Sequence, residues 1–287
     1  MNSWANLFAW PARMGGEHLA NEDASLKHVE VRCQGRISVI CFDRGTPANP
    51  LSLGLMRELT DVARGFENDH ETSAIVLTGR SDNFSMGFDL KDPETMALRE
   101  APLAERRLAF MTGDRMCRAW EELQPLTISA IEGWCVGGGV ALAVSTDLRV
   151  IGSGSGVYVP EVERGLNMSW GSVPRIANLV GPARAKRIIV LAEKVMADRA
   201  MEWGLADMAV PDGSAIDAAM EIAERAASIP PVALRMCKQS IDAYANALAK
   251  VSSHPDYDQF ALAFASDDGA EGIDAFIEKR PPRFTGR

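Results

Sequence analysis

The 287-residue chain predicts an α/β protein with mostly parallel strand pairing. Three observations carry this. Apolar runs of strand length alternate with stretches of helical spacing. Several of the strand runs carry apolar residues on both faces, as strands covered on both sides do. The strand runs cease near residue 215, after which the pattern is almost wholly helical.

In order, Val29 to Val31 and Ile37 to Phe42 are β-rich runs separated by Gln34-Gly35, a hairpin signal. Asp43 to Ser52 is a Gly/Pro/Asn loop. Leu55, Leu59, Val62 and Phe66 recur at helical spacing and predict a half-buried helix from Leu53 to Phe66. Ala74 to Thr78 is a continuous apolar strand ending at Gly79. The charged, Pro-containing stretch 91–104 reads as a mobile segment, and Glu105 to Glu122 as a helix. Leu126 to Ile131 is a buried strand, followed by the Gly-rich stretch Gly133 to Gly139 and a helix from Val140 to Ser145. Asp147 to Ile151 is a further strand. Two helices divided by Gly181-Pro182 span 171–191; Asp198 to Trp203 is a short helix closed by Gly204, and Ala206 to Val210 a short strand. The helical remainder is broken at Pro230-Pro231 and Pro255. This divides the chain into an N-terminal extension (1–25), an α/β core (26–214) and a helical C-terminal region (215–287).

Composition excludes several classes. Hydrophobic residues make up 47% and charged residues 24%, ordinary for a globular protein. A net charge of −9 gives no positive field to attract nucleic acid. No apolar run is long enough to span a bilayer, and residues 1–25 lack the pattern of a secretory signal. Five scattered cysteines without a Cys-x-x-Cys pair, and four separated histidines, argue against a disulfide framework or metal site and for a reducing, cytoplasmic setting.

Gly152-Ser153-Gly154-Ser155-Gly156 follows a strand, but the dinucleotide-loop spacing is absent and Val157 to Pro160 continues extended, so it reads as a turn. There is no Walker-type Gly-Lys-Ser/Thr and no nucleophile elbow. Two stretches fit together better. Residues 76–90 and 126–142 share one plan: apolar strand, Gly-containing turn, helix start. Such turns leave backbone N–H groups unpaired at a helix start, where the dipole also favours an anion. Side by side, they can offer two N–H groups to one oxygen, an oxyanion hole. The spacing is equally that of two ordinary strand-to-helix turns.

These residues carry a resemblance. Phe84-Ser85-Met86-Gly87-Phe88-Asp89-Leu90 resembles the first signature of the crotonase superfamily (enoyl-CoA hydratase/isomerase), and Ile131-Glu132-Gly133 through Gly137-Gly138-Gly139 its second. Asp147 to Val150, Pro160-Glu161 through Gly165-Leu166 to Gly181, Trp203 to Ala206, and Lys279 to Phe284 resemble its later landmarks, in the right order. The resemblance implies the crotonase spiral, repeated ββα turns with a helical C-terminal region used in trimerisation, and assembly as a trimer or a dimer of trimers. It implies an acyl-CoA substrate, with coenzyme A brought in as part of that substrate and no separate cofactor or metal. The thioester oxygen would be held as an enolate by the N–H groups of Phe88 and Gly138.

Hydratases of the superfamily use two glutamates. The first position is Ala141 here; the second is Glu161, which from the residues alone reads rather as a solvated loop carboxylate and takes its functional reading from the resemblance. A single acid suits a proton shuttle, so the resemblance implies an enoyl-CoA isomerase with Glu161 as base. Enoyl-CoA hydratase, acyl-CoA thioester hydrolase and a non-catalytic acyl-CoA binder are the alternatives. Met86, Trp134, Ala141, Ser169 and Trp170 are expected to shape the acyl pocket, with core packing the alternative for Trp170. Arg44 and Lys279, with Arg280 beside it, match places where relatives reach coenzyme A, or are solvated charges. Asp89 is expected to cap the helix after the first turn.

Overall fold

The computed structural model describes residues 26–254 and 256–287; the N-terminal extension expected at 1–25 lies outside them. β1 (Val29–Gln34) and β2 (Ile37–Phe42) pair antiparallel through Gly35, whose φ of 55° the tight turn requires. Ser52 caps α1 (Leu53–Gly65), its hydroxyl accepting from Leu55 N–H at 3.2 Å. There follow β3 (Ala74–Thr78), α2 (Pro93–Ala97), α3 (Leu103–Glu121), β4 (Leu126–Ile131), β5 (Trp134–Val136), α4 (Gly138–Ala143), β6 (Leu148–Gly152) and β7 (Gly156–Tyr158). After a 3₁₀ turn at Glu161–Arg164 come α5 (Ser172–Val180), α6 (Pro182–Ile189), β8 (Val195–Met196), α7 (Ala197–Trp203) and β9 (Met208–Val210). The C-terminal helices are α8 (Ala215–Ala227), α9 (Pro231–Ala245), α10 (Ala249–Ser253), α11 (Asp256–Phe264) and α12 (Asp267–Glu278).

The large sheet runs β1-β2-β3-β4-β6-β9, parallel except for the opening hairpin. A small sheet runs β5-β7-β8. β4 passes through Gly133 (φ 61°) into β5, and β6 through the turn 153–155 into β7. These two passes each lay one strand in each sheet before turning into a helical segment, and after β3 isolated bridges at Asn83 and Ser85 take the place of the second strand, which gives the ββα spiral.

Alternation along the strands buries both faces of the large sheet. Ile40, Phe42, Ile75, Leu77 and Ile131 join the main core with α1 and α3. Ile37, Val39, Ala74, Val76, Ile128 and Val150 face the other way, onto Ala215, Ala219, Met220, Ala223 and Ala226 of α8. The Ala-rich face lets α8 lie close to the sheet.

Three expectations need correction. The stretch 91–104 is not wholly irregular. Asp92-Pro93-Glu94 is a helix-start signal, and the Asp92 carboxylate accepts from Glu94 N–H at 3.0 Å to cap α2, burying Thr95 and Leu98. Asp89 is therefore not the cap; it accepts from Lys91 N–H and pairs with Arg44. The Gly-rich stretch is not a single turn, because Trp134–Val136 pairs with β7 as a short strand too brief for a periodic signal. The Gly/Ser run at 152–156 is a turn, as expected, pinned by the Asp212 carboxylate accepting from Gly154 N–H at 2.6 Å.

Candidate active site

The two Gly-containing turns are stitched edge to edge. Phe84 N–H donates to Glu132 O (2.8 Å), Ser85 N–H to Trp134 O (3.1 Å) and Val136 N–H to Ser85 O (2.8 Å). On the other side Leu51 N–H donates to Gly87 O, and Asp89 N–H donates to Leu51 O. Extended backbone alternates its donors, so Phe88 N–H points away from Leu51. It has no acceptor among the described residues, and neither does Gly138 N–H, at the first position of α4. The two nitrogens are neighbours: a Cβ added to Gly138 would lie 3.4 Å from Phe88 N, and one added to Gly87 (φ 90°) 3.4 Å from Gly138 N. The arrangement can hold one oxygen between two N–H groups. α4 is only six residues long, so the directed N–H groups matter more here than any helix dipole.

Glu161 opens the 3₁₀ turn, which Pro160 precedes and Gly165 ends at φ 67°. Its Oε1 lies against Gly137, where an added Cβ would come within 2.5 Å. Gly137 (φ 52°) thus serves both the turn and the close approach of the carboxylate. The residue as a whole is half-buried, yet Oε2 is shut off from solvent and has no hydrogen-bond partner among the described residues. Burial, only partly offset by its own backbone N–H and by the Arg164 charge, pushes the carboxyl up to about 7. The chain has left a buried acceptor unsatisfied beside two unsatisfied donors, a costly arrangement unless a ligand completes it.

One cleft, of about 80 Å³, joins these groups; it has room for on the order of five to eight waters. Met86, Ala141, Ser169 and Trp170 line it, together with Phe88, Gly138 and Glu161. Ala141 is 1% exposed and offers only a methyl group to the cleft. Trp170 stands edge-on to Phe88, with ring centroids 6.0 Å apart. Its indole lies against Gly138, where a Cβ would meet ring atoms at 2.5 and 2.8 Å, and Gly113 of α3 makes room behind it. Trp170 also has a φ of 59°, unusual for a bulky residue. The Asp256 carboxylate accepts from the next N–H, that of Gly171, at 2.7 Å, and Arg175 Nη1 donates to Trp170 O at 2.8 Å.

Three expected site residues lie elsewhere. Trp134 does not line the cleft; its ring covers Gly156 in the small sheet, with Lys194 above it. Arg44 is engaged with Asp92 at 3.3 Å, Asp89 at 3.5 Å and His28 at 3.1 Å. Lys279 is the exposed left-handed residue that ends α12, and Arg280 is held by Glu271 and Glu278. Conversely, sequence reasoning missed Arg164, Phe260 and Phe276, all of which line the cleft. Phe260 and Phe276 gave no signal, since they come from helices a hundred residues away. Arg164 gave one: it lies three residues after Glu161, just before Gly165. Among the described residues no three His, Cys, Asp or Glu side chains gather as a metal site requires.

A ββα spiral whose adjoining turns present two free N–H groups beside a buried carboxylate defines a protein of the crotonase fold. Comparison with known proteins agrees. The sequence profile of the enoyl-CoA hydratase/isomerase family matches residues 32–287. Among curated relatives, the short-chain-enoyl-CoA hydratase of Clostridium acetobutylicum is 30% identical over 256 residues, covering 89% of this chain and 96% of that protein. The 2,3-dehydroadipyl-CoA hydratase of Escherichia coli is 28% identical, covering 88% and 97%. An enoyl-CoA hydratase from Mycobacterium avium subsp. paratuberculosis superposes with a TM-score of 0.80 at 22% identity, covering 91% of this chain and 100% of that one, a likeness of fold. One from Bacillus anthracis superposes at 0.71 with 28% identity, covering 91% and 100%. The chain belongs to the enoyl-CoA hydratase/isomerase family of the crotonase superfamily.

Proposed function

We propose that the chain processes an enoyl-CoA by way of a thioester enolate, and that its reaction is isomerisation of the double bond. The observation that carries this is the partnerless Glu161 Oε2 in the same cleft as the free N–H groups of Phe88 and Gly138. The thioester oxygen sits between the two N–H groups, which stabilise it more as negative charge develops; each such donor is worth about 3 kcal/mol of barrier. Glu161, its carboxyl raised to about 7, is half ionised near neutrality and suited to both take and return a proton. It removes a proton from the carbon next to the carbonyl of a 3-enoyl-CoA, and the electron pair delocalises onto the held oxygen. The same proton returns two carbons further along, leaving the 2-enoyl-CoA. No second acid is needed, and Ala141 supplies none. Coenzyme A enters as part of the substrate.

Hydration is the second reading, favoured by the names of the relatives, which are hydratases. It asks Glu161 alone to activate the water. Incubation with 3-enoyl-CoA and 2-enoyl-CoA separately in deuterated water separates the readings. A shifted double bond supports isomerisation, with little deuterium in the product where Glu161 returns the same proton; a 3-hydroxyacyl product overturns it in favour of hydration. Free coenzyme A means a hydrolase, and binding without turnover means an acyl-CoA binder.

A homo-oligomer, trimer or dimer of trimers, is part of the proposal. It is supported by the uncovered apolar side chains of α9 and α10, where Met236 is 62%, Tyr244 88% and Val251 77% exposed. Light scattering on the purified chain tests it. A cytoplasmic setting is likewise proposed, on the five unpaired cysteines. Among the described residues no helix is long and apolar enough to cross a membrane.

A further inference from the structure

Arg164 lines the same cleft and has no part in the chemistry above. A 3₁₀ turn brings residues i and i+3 into register, so Glu161 and Arg164 project from one face of their turn. The Arg164 guanidinium carbon lies 4.2 Å from the centre of the Phe276 ring, which holds the side chain against the cleft wall. Among the described residues nothing accepts a hydrogen bond from its nitrogens and Nε is closed off from solvent, although Glu161, Glu163 and Tyr158 lie near enough to act on its charge. The half-buried Arg44, Arg80 and Arg175 each meet a carboxylate, and Arg36, Arg106, Arg184 and Arg235 donate to backbone carbonyls. Phe276, Phe260, Leu166 and Met168 supply apolar walls around it. A fixed, planar guanidinium with no hydrogen-bonded acceptor, set between apolar walls, can take a planar anion.

We propose that Arg164 selects acyl-CoA substrates whose acyl chain ends in a carboxylate, accepting hydrogen bonds from its Nε–H and Nη–H groups. The inference rests on the reading of the cleft as an acyl-CoA site and names its substrate class. Burial holds the guanidinium below its usual basicity and the nearby Glu161, Tyr158 and Glu163 offset this only in part, so an incoming carboxylate completes the compensation. The neutral methyl end of a fatty acyl chain leaves it incomplete.

Binding of adipyl-CoA and hexanoyl-CoA, equal in chain length and differing only in the terminal carboxylate, tests this by calorimetry without any turnover. The wild type is expected to prefer adipyl-CoA by about 10- to 100-fold, as a charge-assisted bidentate pair implies. In Arg164→Met the preference collapses to within about threefold, and Arg164→Lys restores part of it, a point charge replacing the fork. Equal affinities in the wild type overturn the inference. So does an equal loss for both ligands and for free coenzyme A in Arg164→Met, which would assign Arg164 to the coenzyme A phosphates. If Arg164→Met does not fold, the wild-type comparison stands alone. Preferential adipyl-CoA binding with no turnover of any enoyl-CoA retires the enzyme reading and keeps this one; turnover with no preference does the reverse.

Discussion

The pH dependence of turnover tests the base assignment most directly. The rise of the Glu161 carboxyl from 4.5 to about 7 corresponds to roughly 3 kcal/mol against its charged form, at about 1.4 kcal/mol for each tenfold. The base must be ionised to act. At pH 5 only about one carboxylate in a hundred is ionised, so kcat/KM is expected to climb about tenfold per pH unit from 5 toward 7 and then level off. An ordinary glutamate would have reached its plateau by about pH 5.5. The same shift leaves a mark on stability. A carboxyl raised in the folded state keeps its stabilising effect below 4.5, the unfolded value, and loses it as pH rises toward 7. Glu161→Gln does not titrate, so its unfolding free energy relative to wild type is expected to improve by up to about 3 kcal/mol between pH 4 and pH 8. Urea denaturation at both pH values measures this. A kcat/KM profile already flat at pH 5.5, together with a Gln–Glu stability difference that does not move with pH, would refute burial as the origin of the base.

Ala141→Glu is expected to raise the apparent Glu161 pKa by at least about one unit through like-charge repulsion, and to divert product toward 3-hydroxyacyl-CoA; the pH–rate profile checks the first and product analysis the second. Gly138→Ala drives a methyl into the Trp170 ring and is expected to lower kcat by about 100-fold or more while circular dichroism stays native. Trp170→Ala leaves a cavity and costs about 3–5 kcal/mol. Trp170→Gly is expected to cost about 1 kcal/mol less than Trp170→Ala in denaturant, because the φ of 59° suits glycine and not alanine.

Much of this was legible in the sequence where the signal was local. The strands at 37–42, 74–78 and 126–131 announced themselves by apolar residues on both faces, interrupted only by small Ser and Thr side chains, since each is covered on both sides. The turns at 87 and 137–138 showed through their glycines, because close backbone approach leaves no room for side chains there. Signals failed where structure depended on partners distant in sequence. Trp134–Val136 is a strand only because β7 lies beside it. Trp134 looked like a pocket residue by position, yet alternation along that strand turns it onto Gly156. Arg44 looked free because Asp89 and Asp92, which hold it, follow some 45 residues later. Arg164 was overlooked because a 3₁₀ turn has no periodicity to read, and only its three-residue spacing from Glu161 carried the information.

The hydrogen bond from Gly171 N–H to Asp256 has a consequence in time. The two N–H groups and Glu161 are all in place by residue 161, but the cleft's remaining wall, Phe260 and Phe276, and the carboxylate that fastens the Trp170 loop belong to α11 and α12. A chain emerging from the ribosome therefore carries its reactive groups long before it carries the enclosure that makes them useful. Docking across about a hundred residues is among the later and slower events of folding. On the proposed reading of Glu161 as base, the surroundings it works in are complete only once α11 and α12 have docked on the cleft.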